Sequence, residues 1–120
     1  MPYDRELADR IRASLASLAG RSDVREVGMF GGLSFLVDGK LAVSADTHGD
    51  LMIRCSPDRA EQLLEHQDAE PVVMGRRRMS PGWLRIRAGG VAAEADLEFW
   101  ISEALDFTAR QAPGKRGRAG

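Results

Sequence analysis

Seven residues of this sequence suggest a positively charged surface with one aromatic side chain: Arg54, Arg76, Arg77, Arg78, Trp83, Arg85 and Arg87. Guanidinium groups bind phosphates, and an indole ring is a platform on which bases stack. Such a surface also suits a protein partner, because interfaces are enriched in arginine and tryptophan. The structural alternative is a solvated loop whose arginines pair with the acids of neighbouring helices.

The net charge of the chain bears on whether a nucleic acid or a protein is the more suitable partner. The chain has 17 lysines and arginines against 18 aspartates and glutamates, a net charge of −1. Four bases and no acid lie from residue 110 onward: Arg110, Lys115, Arg116 and Arg118. Without them, 13 bases face 18 acids, a net charge of −5. Affinity for phosphate backbones needs clustered positive charge. The composition therefore favours an unidentified protein partner and leaves nucleic acid, bound through Arg76 to Arg78 and the basic end, as the alternative.

Cys55 is the single cysteine and the first candidate for catalysis. It alternates with Leu51 and Ile53 on a predicted strand, which places the thiol in the core. It also directly precedes Ser56 and Pro57, a good helix start, and the positive end of a helix lowers the pKa of a nearby thiol. A buried, inert cysteine is the prediction, with a nucleophile as the alternative.

The loop around His48 is the second candidate for chemistry. Asp46, His48 and Asp50 offer ligand atoms at alternate positions, but zinc sites add more histidines or cysteines, and calcium loops add more carboxylates. A polar hairpin loop accounts for the pattern. The sequence thus predicts no metal, no cofactor and no catalytic residues, and an enzyme of unknown reaction using Cys55 or His48 stays as a second alternative.

Two glycine-containing pairs predict tight turns. Gly31 and Gly32 follow one apolar run, and Asp38 and Gly39 separate two others, as in a β-hairpin. A phosphate-binding loop would instead need Gly-Lys followed by Ser or Thr at the start of a helix. Here Lys40 is followed by a strand, so we interpret all four residues as structural.

The periodicity of apolar residues predicts the elements that position these residues. Helices are predicted over Asp4–Ala19, Ser56–Gln67 and Ala93–Ala109. Strands are predicted over Arg25–Phe30, Leu33–Val37, Leu41–Ala45, Leu51–Cys55, Val72–Met74 and Trp83–Arg87. The order α-β-β-β-β-α-β-β-α indicates an α+β fold in two layers, with an antiparallel sheet of about five to six strands and helices packed on one face.

Several short motifs, in this order, carry a family resemblance: Met29-Phe30-Gly31-Gly32-Leu33, Phe35, Asp38-Gly39-Lys40, Leu51-Met52-Ile53-Arg54, Gly82-Trp83-Leu84 and Trp100-Ile101. They resemble the N-terminal domain of TfoX (Sxy), a bacterial competence regulator. The resemblance implies a small two-layer α+β domain, here standing alone over residues 1–111, with a flexible basic tail over 112–120. It also implies a bacterial regulatory module without catalytic activity that acts through protein contacts in transcription regulation.

The sequence also suggests where the protein is located and whether it associates with itself. No apolar run approaches the ~20 residues that span a bilayer, and the first residues lack an apolar signal core. A cytoplasmic protein without a membrane partner is therefore expected. A homodimer is a further hypothesis, with Trp83 or apolar residues such as Leu36 and Met52 at the contact.

Overall fold

A computed structural model of the chain describes residues 4–20, 22–29, 31–74, 77–78 and 82–110. The helices in these ranges are α1 (Arg5–Leu18), α2 (Pro57–Leu63) and α3 (Glu94–Arg110), with a 3-10 helix over Ala88–Val91. The strands are β1 (Val24–Met29), β2 (Gly32–Val37), β3 (Lys40–Ala45), β4 (Leu51–Arg54), β5 (Ala69–Pro71), β6 (Val73–Met74), β7 (Arg77–Arg78) and β8 (Trp83–Ile86).

The main sheet is antiparallel and has the strand order β1-β2-β3-β4-β8-β5. Strands β1 to β4 form consecutive hairpins. The chain then passes through α2 and returns so that β8 lies between β4 and β5, while β6 and β7 form a separate two-stranded ribbon. The predicted α+β class, with helices on one face of a six-stranded antiparallel sheet, is confirmed. The segment between α2 and α3 contains more strands than the two predicted there.

Helix α1 forms where the apolar spacing predicts it. The Asp4 carboxylate accepts a hydrogen bond from the Leu7 backbone N–H at 3.0 Å and caps the first turn. Leu7, Ile11 and Leu15 are buried, whereas Leu18, the fourth residue of the predicted stripe, is 39% exposed. The buried stripe therefore covers the first three turns of the helix.

Helix α2 ends earlier than predicted. It closes at Leu63 instead of Gln67, since the N–H groups of Glu65 and His66 bond to carbonyls only three residues back. Such short bonds tighten the end of a helix into a turn. The turn brings the chain to β5, which pairs with β8.

One face of the sheet, which we call the first face, forms the core with the helices. The register aligns Phe35, Val43, Ile53 and Leu84 across four neighbouring strands, and each is buried. The helices complete the same cluster with buried residues of α1, α2 and α3: Ile11, Leu15, Ala60, Leu63, Leu97, Trp100 and Ile101. None of the described helices combines the length and the hydropathy that a membrane crossing needs.

Strand β1 lies at one edge of the sheet and is bordered by charge. Glu26 accepts two hydrogen bonds from the Arg12 guanidinium, at 2.6 and 2.8 Å, and Arg25 pairs with Asp23 at 3.2 Å. Between these charges and the turn, Val27 is 40% exposed. Charged side chains at an edge strand discourage the addition of a further strand.

Candidate interaction surface

The side of the sheet away from the core, which we call the second face, carries the predicted surface residues. Residues that alternate with the core residues point to this face. Its central row runs through Ser34, Ser44, Met52, Arg85 and Glu70 in register. Ser34 and Ser44 are buried and their hydroxyls lie 2.8 Å apart, within hydrogen-bond distance. Met52 is half-buried, so the exposure of this face increases toward β4 and β8.

Arg54 and Trp83 form the neighbouring row, because the register pairs them directly. The Arg54 Cζ atom lies 5.3 Å from the centroid of the Trp83 ring and 5.4 Å from that of Phe107 in α3. Cations at this distance from aromatic rings are attracted by the ring quadrupole. The guanidinium therefore connects the sheet to α3 through two aromatic contacts.

Arg85 and Arg87 form ion pairs with carboxylates. The Arg87 Nη2 atom donates to Glu70 at 2.9 Å, and Arg85 Nη1 lies 3.5 Å from the same carboxylate. On its other side, Arg85 Nε is 3.5 Å from Asp46 Oδ2. The acids that neutralise these arginines come from β5 and from the loop after β3, and not from the helices that the sequence suggested.

Replacing Glu70 by glutamine should make stability less dependent on pH. The hydrogen bond from Arg87 lowers the pKa of Glu70 below its usual value of 4.5. A lowered pKa in the folded state stabilises the fold above the unfolded pKa, and the stabilisation disappears as pH falls through the folded pKa. We expect Glu70→Gln to lower the melting temperature by about a few degrees near neutral pH and to have a smaller effect at an acidic pH where folded Glu70 takes up its proton.

Thermal unfolding followed by circular dichroism at both pH values measures this effect. Glu61→Gln is the matched control, because Glu61 is exposed on α2. A loss in Glu70→Gln that persists undiminished at low pH would show that packing, and not charge, is the cause.

Cys55 directly follows Arg54 in the chain, but its side chain lies in the core. It is 1% exposed, and its backbone N–H donates to the Gly82 carbonyl at 2.8 Å. Burial, assisted by the negative charge of Glu103, raises the pKa of the thiol to about 11. At neutral pH the group is a thiol, which is the unreactive form.

The Asp46 to Asp50 loop uses its first acid to fix its own backbone. The Asp46 Oδ1 atom accepts hydrogen bonds from the N–H groups of His48 and Asp50, at 2.8 and 2.9 Å. The Asp50 carboxylate accepts from the Ala88 N–H at 3.0 Å and so joins the loop to the 3-10 helix. Within the described part of the chain, no group of three or more histidine, cysteine or acidic residues is placed to hold a metal ion.

The four turn residues are positioned by backbone geometry. Asp38 and Gly39 have φ values of 53° and 80°, which suit the tight hairpin between β2 and β3. Gly31 has a φ of 80°, and a Cβ there would be 2.9 Å from Thr47 Cγ2. A Cβ on Gly32 would be 2.4 Å from the Ala45 carbonyl oxygen, so β2 and the end of β3 approach each other more closely than a side chain permits.

Comparison with known families identifies the domain. The family model for the TfoX N-terminal domain matches residues 16–108, most of the 120-residue chain. The chain belongs to the TfoX N-terminal domain family. Searches of curated proteins and of solved structures returned no match. The TfoX N-terminal match includes Arg54, Trp83, Phe107 and the acids that pair with Arg85, so the candidate surface lies within the family domain.

Part of the predicted surface of this TfoX N-terminal domain lies outside the described residues. Arg76 is one such residue, as is the predicted tail over 112–120. Arg77 and Arg78 form β7, whose backbone pairs with β6. The structure brings together Arg54, Trp83, Arg85 and Arg87 on the second face or at its border.

Sequence reasoning missed two members of the TfoX N-terminal surface. Phe107 contacts Arg54 from α3, and Glu70 holds Arg85 and Arg87 from β5. Phe107 falls three residues after the buried Ala104, a helical spacing that points to the core side of α3. For Glu70 the only signal was an acid before Pro71, which does not specify a strand.

Proposed function

We propose that this TfoX N-terminal domain is a bacterial, cytoplasmic module without catalytic activity that acts in transcription regulation through a protein partner. The observation that carries the proposal is the composition of the second face near β4 and β8. Met52, Arg54 and Trp83 are half-buried there, and none belongs to the hydrophobic core cluster. Methionine, arginine and tryptophan are the residue types enriched where proteins meet.

The state of Cys55 supports a role without catalysis. A nucleophilic cysteine needs a lowered pKa and access to substrate, whereas burial raises the pKa of this thiol. The alternative site at His48 is exposed, and the carboxylate of Asp46 beside it is engaged with backbone N–H groups.

The charge pattern supports a protein over a nucleic acid. Arg85 and Arg87 would have to leave Glu70 before they could contact phosphates. Proteins that bind a phosphate backbone use several free cations, and their affinity falls steeply with salt. The excess of acids over bases up to residue 109 acts against such binding.

Affinity capture tests the proposed function. The full chain is immobilised, incubated with nuclease-treated bacterial extract and compared with Trp83→Ala by mass spectrometry. We expect the wild-type chain to retain components of the transcription machinery and Trp83→Ala to lose them. Phe99→Ala is the matched control, since Phe99 is an aromatic residue of α3, 38% exposed and outside the second face, and should retain the same proteins.

Direct binding assays address the nucleic-acid alternative. Single- and double-stranded DNA and RNA are titrated at low salt with the wild-type chain and with Arg76, Arg77 and Arg78 replaced by alanine. Binding that weakens steeply with salt in the wild type, with a flatter slope in the variant, would replace the proposed function. So would protein capture that is identical in wild type and Trp83→Ala.

A further inference from the structure

We propose that Arg54, whose guanidinium contacts the rings of Trp83 and Phe107, anchors an acidic segment of the partner protein, one carboxylate of which pairs with the guanidinium. This inference rests on the proposed function, because both require a protein partner. It adds the chemical character of that partner and the residue that recognises it.

The first argument is the geometry of the cation. The Arg54 Cζ atom lies almost equally far from two ring centroids, at 5.3 Å from Trp83 and 5.4 Å from Phe107. The Trp83 ring belongs to β8 and the Phe107 ring to α3, so both aromatic contacts are made by residues of regular secondary structure. A planar guanidinium in contact with aromatic rings loses little freedom when it donates two hydrogen bonds to a carboxylate.

The second argument is that Arg54 has no acid of its own. The described residues include every aspartate and glutamate of the sequence, and within them Arg54 forms no ion pair. Its Nε atom is buried and has no hydrogen-bond acceptor among the described residues. Buried donors normally have a hydrogen-bond acceptor, and for a guanidinium the strongest acceptor is a carboxylate.

The third argument is the contrast with neighbouring arginines. Arg59 donates to Glu103 at 2.6 Å, and Arg85 and Arg87 share Glu70. Arg25 at the far edge pairs with Asp23. Of the five arginines Arg25, Arg54, Arg59, Arg85 and Arg87, the one that contacts two aromatic rings is therefore the one without a carboxylate.

The fourth argument selects a protein carboxylate as the occupant. Among Arg54, Arg59, Arg85 and Arg87, whose side chains the structure describes, Arg54 is the cation without a carboxylate, and one such cation beside aromatic rings matches one carboxylate with adjoining apolar atoms. A nucleic-acid strand presents phosphates in series and needs cations in series. The nearby cations Arg59, Arg85 and Arg87 are already neutralised. An acidic peptide thus complements the positive charge of Arg54, which no carboxylate of the described residues neutralises.

The experiment is a nuclear magnetic resonance titration of the isotope-labelled full chain with an acetylated tetraglutamate amide. The Nε–Hε signal of Arg54, assigned by its absence from Arg54→Gln, reports directly on the guanidinium. We expect this signal to shift in a saturable way. The dissociation constant, followed on backbone signals of β4 and β8, should rise at least about tenfold in Arg54→Gln.

Three controls test whether binding depends on Arg54 itself or on charge in general. Arg54→Lys keeps the charge but loses the planar fork, so its affinity should fall between wild type and Arg54→Gln. Arg87→Gln removes an exposed arginine that already pairs with Glu70 and should change the constant by less than about twofold. Tetraglutamine amide should leave the Arg54 signal unmoved.

The outcomes distinguish this inference from the proposed function. An Arg54 signal that does not move with millimolar tetraglutamate overturns the inference even if Arg54→Gln fails to fold, because the wild-type chain alone gives that result. A larger shift with a single-stranded oligonucleotide than with tetraglutamate assigns the site to nucleic acid and overturns it as well. Capture of transcription proteins that is lost in Trp83→Ala but unchanged in Arg54→Gln leaves the proposed function standing and removes Arg54 as the anchor.

Discussion

Gly32→Ala is expected to destabilise the domain by about 3 kcal/mol, equivalent to a fall of roughly 10–20 °C in melting temperature. A Cβ at this position would lie 2.4 Å from the Ala45 oxygen and 3.2 Å from the Asp46 Cα, and both are backbone atoms. Backbone within a sheet cannot move aside as the end of a side chain can. Relief would require β2 and β3 to separate at the point where β3 leads into the Asp46 loop.

The matched control for this variant is Gly28→Ala. Gly28 lies in the edge strand β1, and among the described residues a Cβ there would meet no atom closer than the Gly32 oxygen at 4.0 Å. We expect its free energy of unfolding, from urea denaturation, to stay within about 0.5 kcal/mol of wild type. Equal losses in the two variants would contradict the close approach at Gly32 and point to a general cost of side chains in these strands.

The second large effect is expected in the chemistry of Cys55. Because burial raises the pKa of the thiol to about 11, two units above its ordinary value of 9.0, the thiolate fraction near pH 8 should be about 100-fold lower than in the unfolded chain. Limited access to a side chain that is 1% exposed slows the reaction further. Alkylation by iodoacetamide should therefore be at least about 100-fold slower in the native protein than in guanidinium chloride.

A surface thiol is the control for reagent quality. Ala93→Cys in a Cys55→Ser background places a thiol at an exposed position just before α3, where the helix N-terminus lowers a thiol pKa, so it should react at least as fast as a free cysteine. Native Cys55 reacting as fast as this control would restore the hypothesis of an enzyme with a cysteine nucleophile. Mass spectrometry of samples quenched over time measures both rates.

Local signals in the sequence were sufficient to locate the three α-helices and the strands β1 to β4, β6 and β8. The spacing of Leu7, Ile11 and Leu15 specifies α1, and Asp38 with Gly39 specifies the β2–β3 turn, because each depends on residues close in the chain. Alternation likewise placed Cys55 with Leu51 and Ile53. Patterns of this kind do not depend on the partners that an element later finds.

The same local signals could not predict the pairing between distant segments. Nothing in the short run Ala69–Pro71 indicates that it forms the far edge of the sheet, with β8 between it and β4. The surface therefore stayed incomplete, because Glu70 reaches Arg85 through that pairing. Similarly, the contact of Arg54 with Phe107 joins residues from β4 and α3, and depends on the way in which α3 packs on β3 and β4.

The charged edge at β1 bears on how this domain behaves in concentrated solution. Open strand edges are the usual starting points for polymerisation between copies of a protein. Any chain that added alongside Val24–Met29 would disturb the pairs that Arg12 and Asp23 make with Glu26 and Arg25. We therefore expect these two surface pairs to disfavour fibre formation, an effect that measurements of folding stability alone would not reveal.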